Sequence, residues 1–299
     1  MAGPLRVEPD VSSARWVQEA LHEDGTVATL VPPIFDAYAR ILHPATLETP
    51  TGEVNEWSVP EYAGRAISWA DAAELIDDRS GGQRWTAWQQ RFGDDQHALR
   101  DGRRVLAPHL GDIPIGLLAE LAAVLRDEHG DVEVLAGVWE GSGLDPTGSS
   151  LFFMVSDDEQ MTAAERQELE RTAQRRHREE LISAVDPEVA AAMRRQQVLG
   201  LPRPQQARGH VLLRAQLEVF CNPAWEREAG LGWRADWPYQ GRTPNALWPV
   251  EPAGAPAWFV ATDMDLDITH VGGSGHLIGR LLGHPGIEAE RVRPTDPIV

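Results

Sequence analysis

The sequence predicts an α+β fold, a mixed or mainly antiparallel sheet packed with helices, and three observations carry that prediction. Residues 111–130, GDIPIGLLAELAAVLRDEHG, put Leu117, Leu118, Leu121, Val124 and Leu125 on one face of a helix. Short apolar runs at 132–141 and 150–155 read as strands, because the segment between them, GSGLDPTG, is turn chemistry throughout. A helical pair at 162–200 then precedes another strand-like run at 210–220, so it reads as an inserted helical hairpin.

Each element has its own justification. VSSARWVQEALHED predicts a first helix capped from Ser12 or Ser13, and LVPPIFDAYARILHP a second, with proline near its start and Pro44 beyond its end. The remainder of the first 110 residues is irregular and acidic. The expected organisation is therefore an N-terminal helical and irregular region (1–110) and an α+β core (111–299) carrying the insertion 162–200, with one continuous domain as the alternative. Asp112 is the expected cap of the helix at 111–130. Thr162 and Glu165 are spaced as a capping box, and Asp186–Pro187 opens a further helix that should stop near Gly200. The segment from Pro223 to Pro256 is rich in tryptophan and proline without periodicity; such a segment is usually a binding loop, and its tryptophans either form a contact platform or pin the loop to the body by burial. IEAERVRP predicts a closing edge strand.

Composition removes several chemistries. All 27 basic residues are arginine, so a Walker P-loop, a kinase-type ATP site and Schiff-base catalysis lack their lysine. Cys221 stands alone, which excludes an internal disulfide and thiolate metal clusters. No cofactor is expected. The net charge of −19 opposes binding to nucleic acid or an anionic membrane and suits a basic protein partner or a small ligand. No apolar run approaches the roughly 18 residues of a membrane span, and the N-terminus has neither a basic start nor an apolar stretch, so a cytoplasmic location is expected.

The segment ATDMDLDITHVGGSGHLIGRLL (261–282) is the focus of the functional reading. Continuous strand alternation from 258 to 268 places Asp263, Asp265 and Asp267 on one face, about 6.6 Å between neighbours. The row is expected to lie open to water at the sheet rim, with pairing to an arginine or partner, or a divalent ion, as alternatives. A calcium loop would need glycine and glutamate where Ile268 and Ser274 stand. The glycines miss dinucleotide-binding spacing, since Gly279 falls one residue late, and the serine elbow fails at His276. Ser274 is the expected cap of the helix GHLIGRLLG. Two functions follow. The first is a non-catalytic acidic binding protein, inhibitor- or immunity-like, using Asp263, Asp265, Asp267, His270 and Ser274 beside a loop bearing Trp233, Trp237 and Trp248. The second is a metal-assisted hydrolase built on Asp263, Asp265 and His270.

Four blocks, VPPIFDAYARILHP (31–44), GVWEG (137–141), TPNALWP (243–249) and FVATDMDLDITHVGGS (259–274), occur in that order. In them the chain resembles an uncharacterised family of soluble proteins from high-GC, actinobacterial-type bacteria, over about half its length. Ala246 and Leu247 replace the Leu–Trp pair usual in that family's Pro-Asn-Leu-Trp-Trp-Pro segment. The family has no assigned activity, so the resemblance implies kinship and no catalytic residue.

Overall fold

A computed structural model describes residues 4–55, 58–77, 87–141, 186–195, 197–201, 208–225, 243–250 and 256–298, with most of 162–176. Two antiparallel sheets and several helices make the fold α+β. The larger sheet has nine strands among the described residues: β1 (Arg6–Val7), β2 (Ala37–Leu42), β7 (Glu133–Trp139), β8 (Leu199–Leu201), β9 (Arg208–Gln216), β10 (Ala246–Pro249), β11 (Phe259–Thr262), β12 (Ile268–Gly273) and β13 (Ala289–Val292). Their order is β1-β9-β7-β10-β11-β12-β2-β13, with β8 also on β9. The smaller sheet, β4-β3-β6-β5, comprises β3 (Ala45–Val54), β4 (Pro60–Ile67), β5 (Gln96–Ala98) and β6 (Arg104–Leu106).

The large sheet separates two cores. On β7, Val134, Ala136 and Val138 face one core while Leu135 faces the other, the period of two that a half-and-half strand requires. The first core is closed by α4 (Ile115–His129), through the predicted Leu117, Leu118, Leu121, Val124 and Leu125, and by Leu277, Ile278 and Leu281 of α6 (Gly275–Leu282). The second holds α1 (Arg15–Ala20), the inner face of the small sheet, Trp69 of α2 (Trp69–Ile76) and Trp88 of α3 (Trp88–Phe92).

Several expectations need correcting. The second predicted helix is the strand β2. All six of its residues are buried between β12 and β13, so neither face is wet and alternation is erased, leaving an apolar run that reads equally as helix. The first 110 residues are likewise not mainly helical and irregular: they supply β1 and β2 to the large sheet and all four strands of the small one. The first helix begins as a 3-10 turn capped by Asp10 rather than Ser12 or Ser13, and α4 follows Pro114 without a side-chain cap from Asp112.

Helix is present at both ends of the expected insertion. Thr162 and Glu165 form the reciprocal cap, and the described residues at 164–176 are helical. Helix α5 (Pro187–Arg194) starts from Asp186 as expected, but it ends before β8 and buries Val189 and Ala192 against the first core. β13 is the edge strand foreseen, and β9 ends at Gln216 in a 3-10 turn. The strand expected at 150–155 lies outside the described residues. No helix among the described residues is long and apolar enough to cross a membrane.

Candidate functional site

The expected acidic strand is a hairpin. β11 ends at Thr262, β12 begins at Ile268, and the two pair antiparallel with Thr262 opposite Thr269. Asp263 makes the turn, its carboxylate accepting the Asp265 backbone N–H at 2.9 Å. Aspartate competes with the sheet ladder in this way, so alternate aspartates favour a turn over a strand. Gly111, at φ +101°, lies beneath the turn and donates its N–H to the Leu266 carbonyl. A β-carbon there would stand 2.9 Å from the Met264 carbonyl oxygen, so only glycine fits.

The carboxylates are not an open row. The Arg208 guanidinium joins two of them, with Nη1 2.8 Å from Asp263 and Nη2 2.5 Å from Asp265. It occupies the position between these carboxylates that a divalent ion would need. Asp263 is buried and Asp265 exposed. Asp267 turns inward, 3% exposed, and accepts the Trp88 N–H at 2.7 Å, while its other oxygen is buried without a hydrogen-bond partner. Burial pushes the Asp267 carboxyl above the usual carboxylate range, against the opposing pull of that N–H.

His270 does not join the aspartates in a site. It lies in β12 opposite Ala261 and Arg40, fully buried, and burial holds its pKa down to about 3, with Arg40 and His43 adding to the effect. His43 is also pushed to about 3 by burial. Its Nε2 meets Thr269 Oγ1 at 2.8 Å, and that hydroxyl meets Thr262 Oγ1 at 2.6 Å, a polar thread through the sheet. Both imidazoles are neutral at pH 7. Among the described residues no group of three His, Cys, Asp or Glu is placed to hold a metal ion.

The other predicted site residues have structural roles. Ser274 Oγ accepts the Leu277 N–H at 3.0 Å and caps α6. Trp248 is buried in β10, stacked on Phe259 with ring centroids 5.2 Å apart. Trp233 and Trp237 lie outside the described residues. A broad depression of about 550 Å³ beside Trp225 is lined by Arg126, Asp131, Glu218 and Cys221. Its Asp131 is engaged by the Glu218 N–H, and burial raises the Cys221 thiol pKa, so that thiol is a poor nucleophile.

Sequence reasoning missed Asn245. Buried at the start of β10, it accepts the Trp139 N–H at 2.9 Å and donates to the Gly111 carbonyl at 3.2 Å. Its own carbonyl accepts the Thr262 N–H. One side chain thereby ties the end of β7 to the support of the aspartate turn. The available signal is the Pro-Asn pair in the third resemblance block, Pro244–Asn245.

Exposed acid lies elsewhere. β3 pairs with β6 only over Thr46–Glu48, so from Thr49 outward β3 and β4 form a two-stranded ribbon. Residues 49–54 are exposed, as are most of 58–66, with Val54 at 61% and Val59 at 52%. Residues 45–67, which span β3 and β4, contain Glu48, Glu53, Glu56 and Glu61 against one basic residue, Arg65. At the ribbon base Arg104 pairs with Glu48 and lies 3.9 Å over the Tyr62 ring.

Comparison with protein-family models, with curated proteins and with solved structures finds no match.

Proposed function

We propose that the protein is a non-catalytic, cytoplasmic binding protein that presents the acidic β3–β4 ribbon to a basic protein partner. The single observation behind this reading is the coincidence, on one projecting element, of exposed carboxylates and exposed valines. A two-stranded ribbon without a core beneath it gains little stability from burial. Val54 and Val59 add apolar surface that folding leaves in water, the pattern expected of a contact surface. The net acidic charge of the ribbon, Glu53 and Glu61 against Arg65 with Glu48 paired to Arg104, would steer a basic partner, and the valines would supply the desolvated centre.

The carboxylates at 263–267 lend no support to the binding face expected from the sequence. Arg208 and the Trp88 N–H engage them within the fold. The same pairing counts against the hydrolase reading, which required Asp263 and Asp265 to be available to a metal.

The test is affinity capture with crosslinking, comparing wild type with Glu53→Arg/Glu61→Arg and with Val54→Ser/Val59→Ser. The expected result is a discrete partner crosslinked at the ribbon, weakened by about tenfold or more in the charge variant and released by raised salt. A partner captured equally by all three proteins would overturn the reading.

A further inference from the structure

We infer that two copies of the chain pair through the outer edge of β4, strand against strand and antiparallel, about a twofold axis at Ala63. Edge strands expose unpaired backbone N–H and C=O groups, and proteins commonly keep them short or covered. Among the described residues the other outer strands are short: β5 has three residues, β13 four, β1 two and β8 three. β4 has eight, and among the described residues its sheet neighbour is β3 alone. It carries one acid, Glu61, and one base, Arg65, so this edge is neutral in a chain of net charge −19. A second copy can meet it without setting acid against acid.

The residues of β4 select the register. The Glu61 carbonyl points to β3, where it accepts the Thr51 hydroxyl at 3.1 Å. Alternation then turns the N–H and C=O groups of Tyr62, Gly64 and Ala66 to the free edge. Centred on Ala63, Glu61 lies opposite Arg65 of the second copy and Arg65 opposite its Glu61, both on one face of the sheet. On the other face Tyr62 lies opposite Gly64 of the second copy, whose missing side chain leaves room for the ring. Centring on Glu61 or Arg65 instead would oppose like charges, and centring on Tyr62 or Gly64 would leave both charges without a counterpart. Glu61 and Arg65 are exposed, and about 13 Å of extended backbone keeps them from pairing with each other in one chain. Pro60, which has no N–H, falls opposite Ala66 of the second copy and ends the paired run. The dimer goes beyond the ribbon reading and leaves it standing, because Glu53 lies on β3, away from the paired edge.

Sedimentation velocity over a concentration series tests the dimer, with each variant's fold checked by its melting curve. Wild type is expected to pass from monomer to dimer as concentration rises. Glu61→Arg and Arg65→Glu each set like charges across the axis and should weaken association by about tenfold or more, the first even though it lowers the net negative charge. Glu19→Arg, the same charge change at an exposed position of α1, should not weaken it. The swap Glu61→Arg/Arg65→Glu restores both pairs and should associate like wild type. An equimolar mixture of the two single variants should do so as well, since every arginine then meets a glutamate. A wild type that stays monomeric at millimolar concentration overturns the inference. So do single variants that associate as tightly as wild type, or that neither the swap nor the mixture rescues.

Discussion

The aspartate turn at 263–267 and the β3–β4 ribbon use one residue class in opposite ways. In the turn, each carboxylate has a partner inside the protein: Asp263 and Asp265 share Arg208, and Asp267 holds the Trp88 N–H. Among the described glutamates of the ribbon, Glu48 is paired with Arg104, and Glu53 and Glu61 stand in water. Density of acid in the sequence is therefore a poor guide to where charge is offered to a partner. A buried carboxylate is stabilised by its own chain or not tolerated, whereas an exposed one imposes no such demand.

The contrast yields graded predictions. The largest effect is on pH dependence. His43 and His270 have folded pKa values near 3 against an ordinary 6.5. Between those values the unfolded chain takes up protons that the folded chain refuses, so their stabilising contribution is full above pH 6.5 and falls as pH drops towards 3. The slope is roughly 1 kcal/mol per pH unit for each group once pH lies well below 6.5. Asp267 and Glu288 oppose it, because burial raises both carboxyls and the fold then favours their protonated forms as pH falls through the carboxylate range. Urea unfolding at a series of pH values between 7 and 4 should show the decline, and His270→Gln should make it shallower.

Next is Arg208→Ala, which leaves the buried Asp263 without its cation and should destabilise by about 3 kcal/mol. Asn245→Ala removes two hydrogen bonds and strands the Trp139 N–H and the Gly111 carbonyl, a loss of about 2 kcal/mol. The smallest effect belongs to the ribbon. Glu53→Arg/Glu61→Arg should change unfolding free energy by less than about 0.5 kcal/mol, since those side chains touch no core. A large loss there would erase the distinction between the two regions.

What the sequence made legible divides along the same line. Helix α4, the Asp186 and Ser274 caps, the strands β7 and β9 and the edge strand β13 each carry a local signature of period, cap or turn residue. β2 does not, because a strand buried on both faces presents an unbroken apolar run. The small sheet was missed for the opposite reason, as its outer strands are wet on both faces and show no alternation either. At the candidate site the residue types were legible and their partners were not. Arg208 lies 55 positions from Asp263, and Trp88 lies 179 from Asp267, separations that no local pattern reports. The expectation of a wet carboxylate rim failed there, and the turn-forming habit of aspartate was the available clue.

Trp69 and Trp88 meet edge to face, ring centroids 5.5 Å apart, where the two sheets join. The Trp69 indole N–H is held by the carbonyl of His43, the residue between β2 and the Pro44 that precedes β3. Two indoles locked at right angles in an asymmetric setting make a strong source of near-ultraviolet circular dichroism. That band depends on fixed side-chain packing, whereas the far-ultraviolet signal follows the backbone. The protein thus carries an optical gauge at its sheet junction, one that dims as the small sheet works loose even while the secondary structure persists.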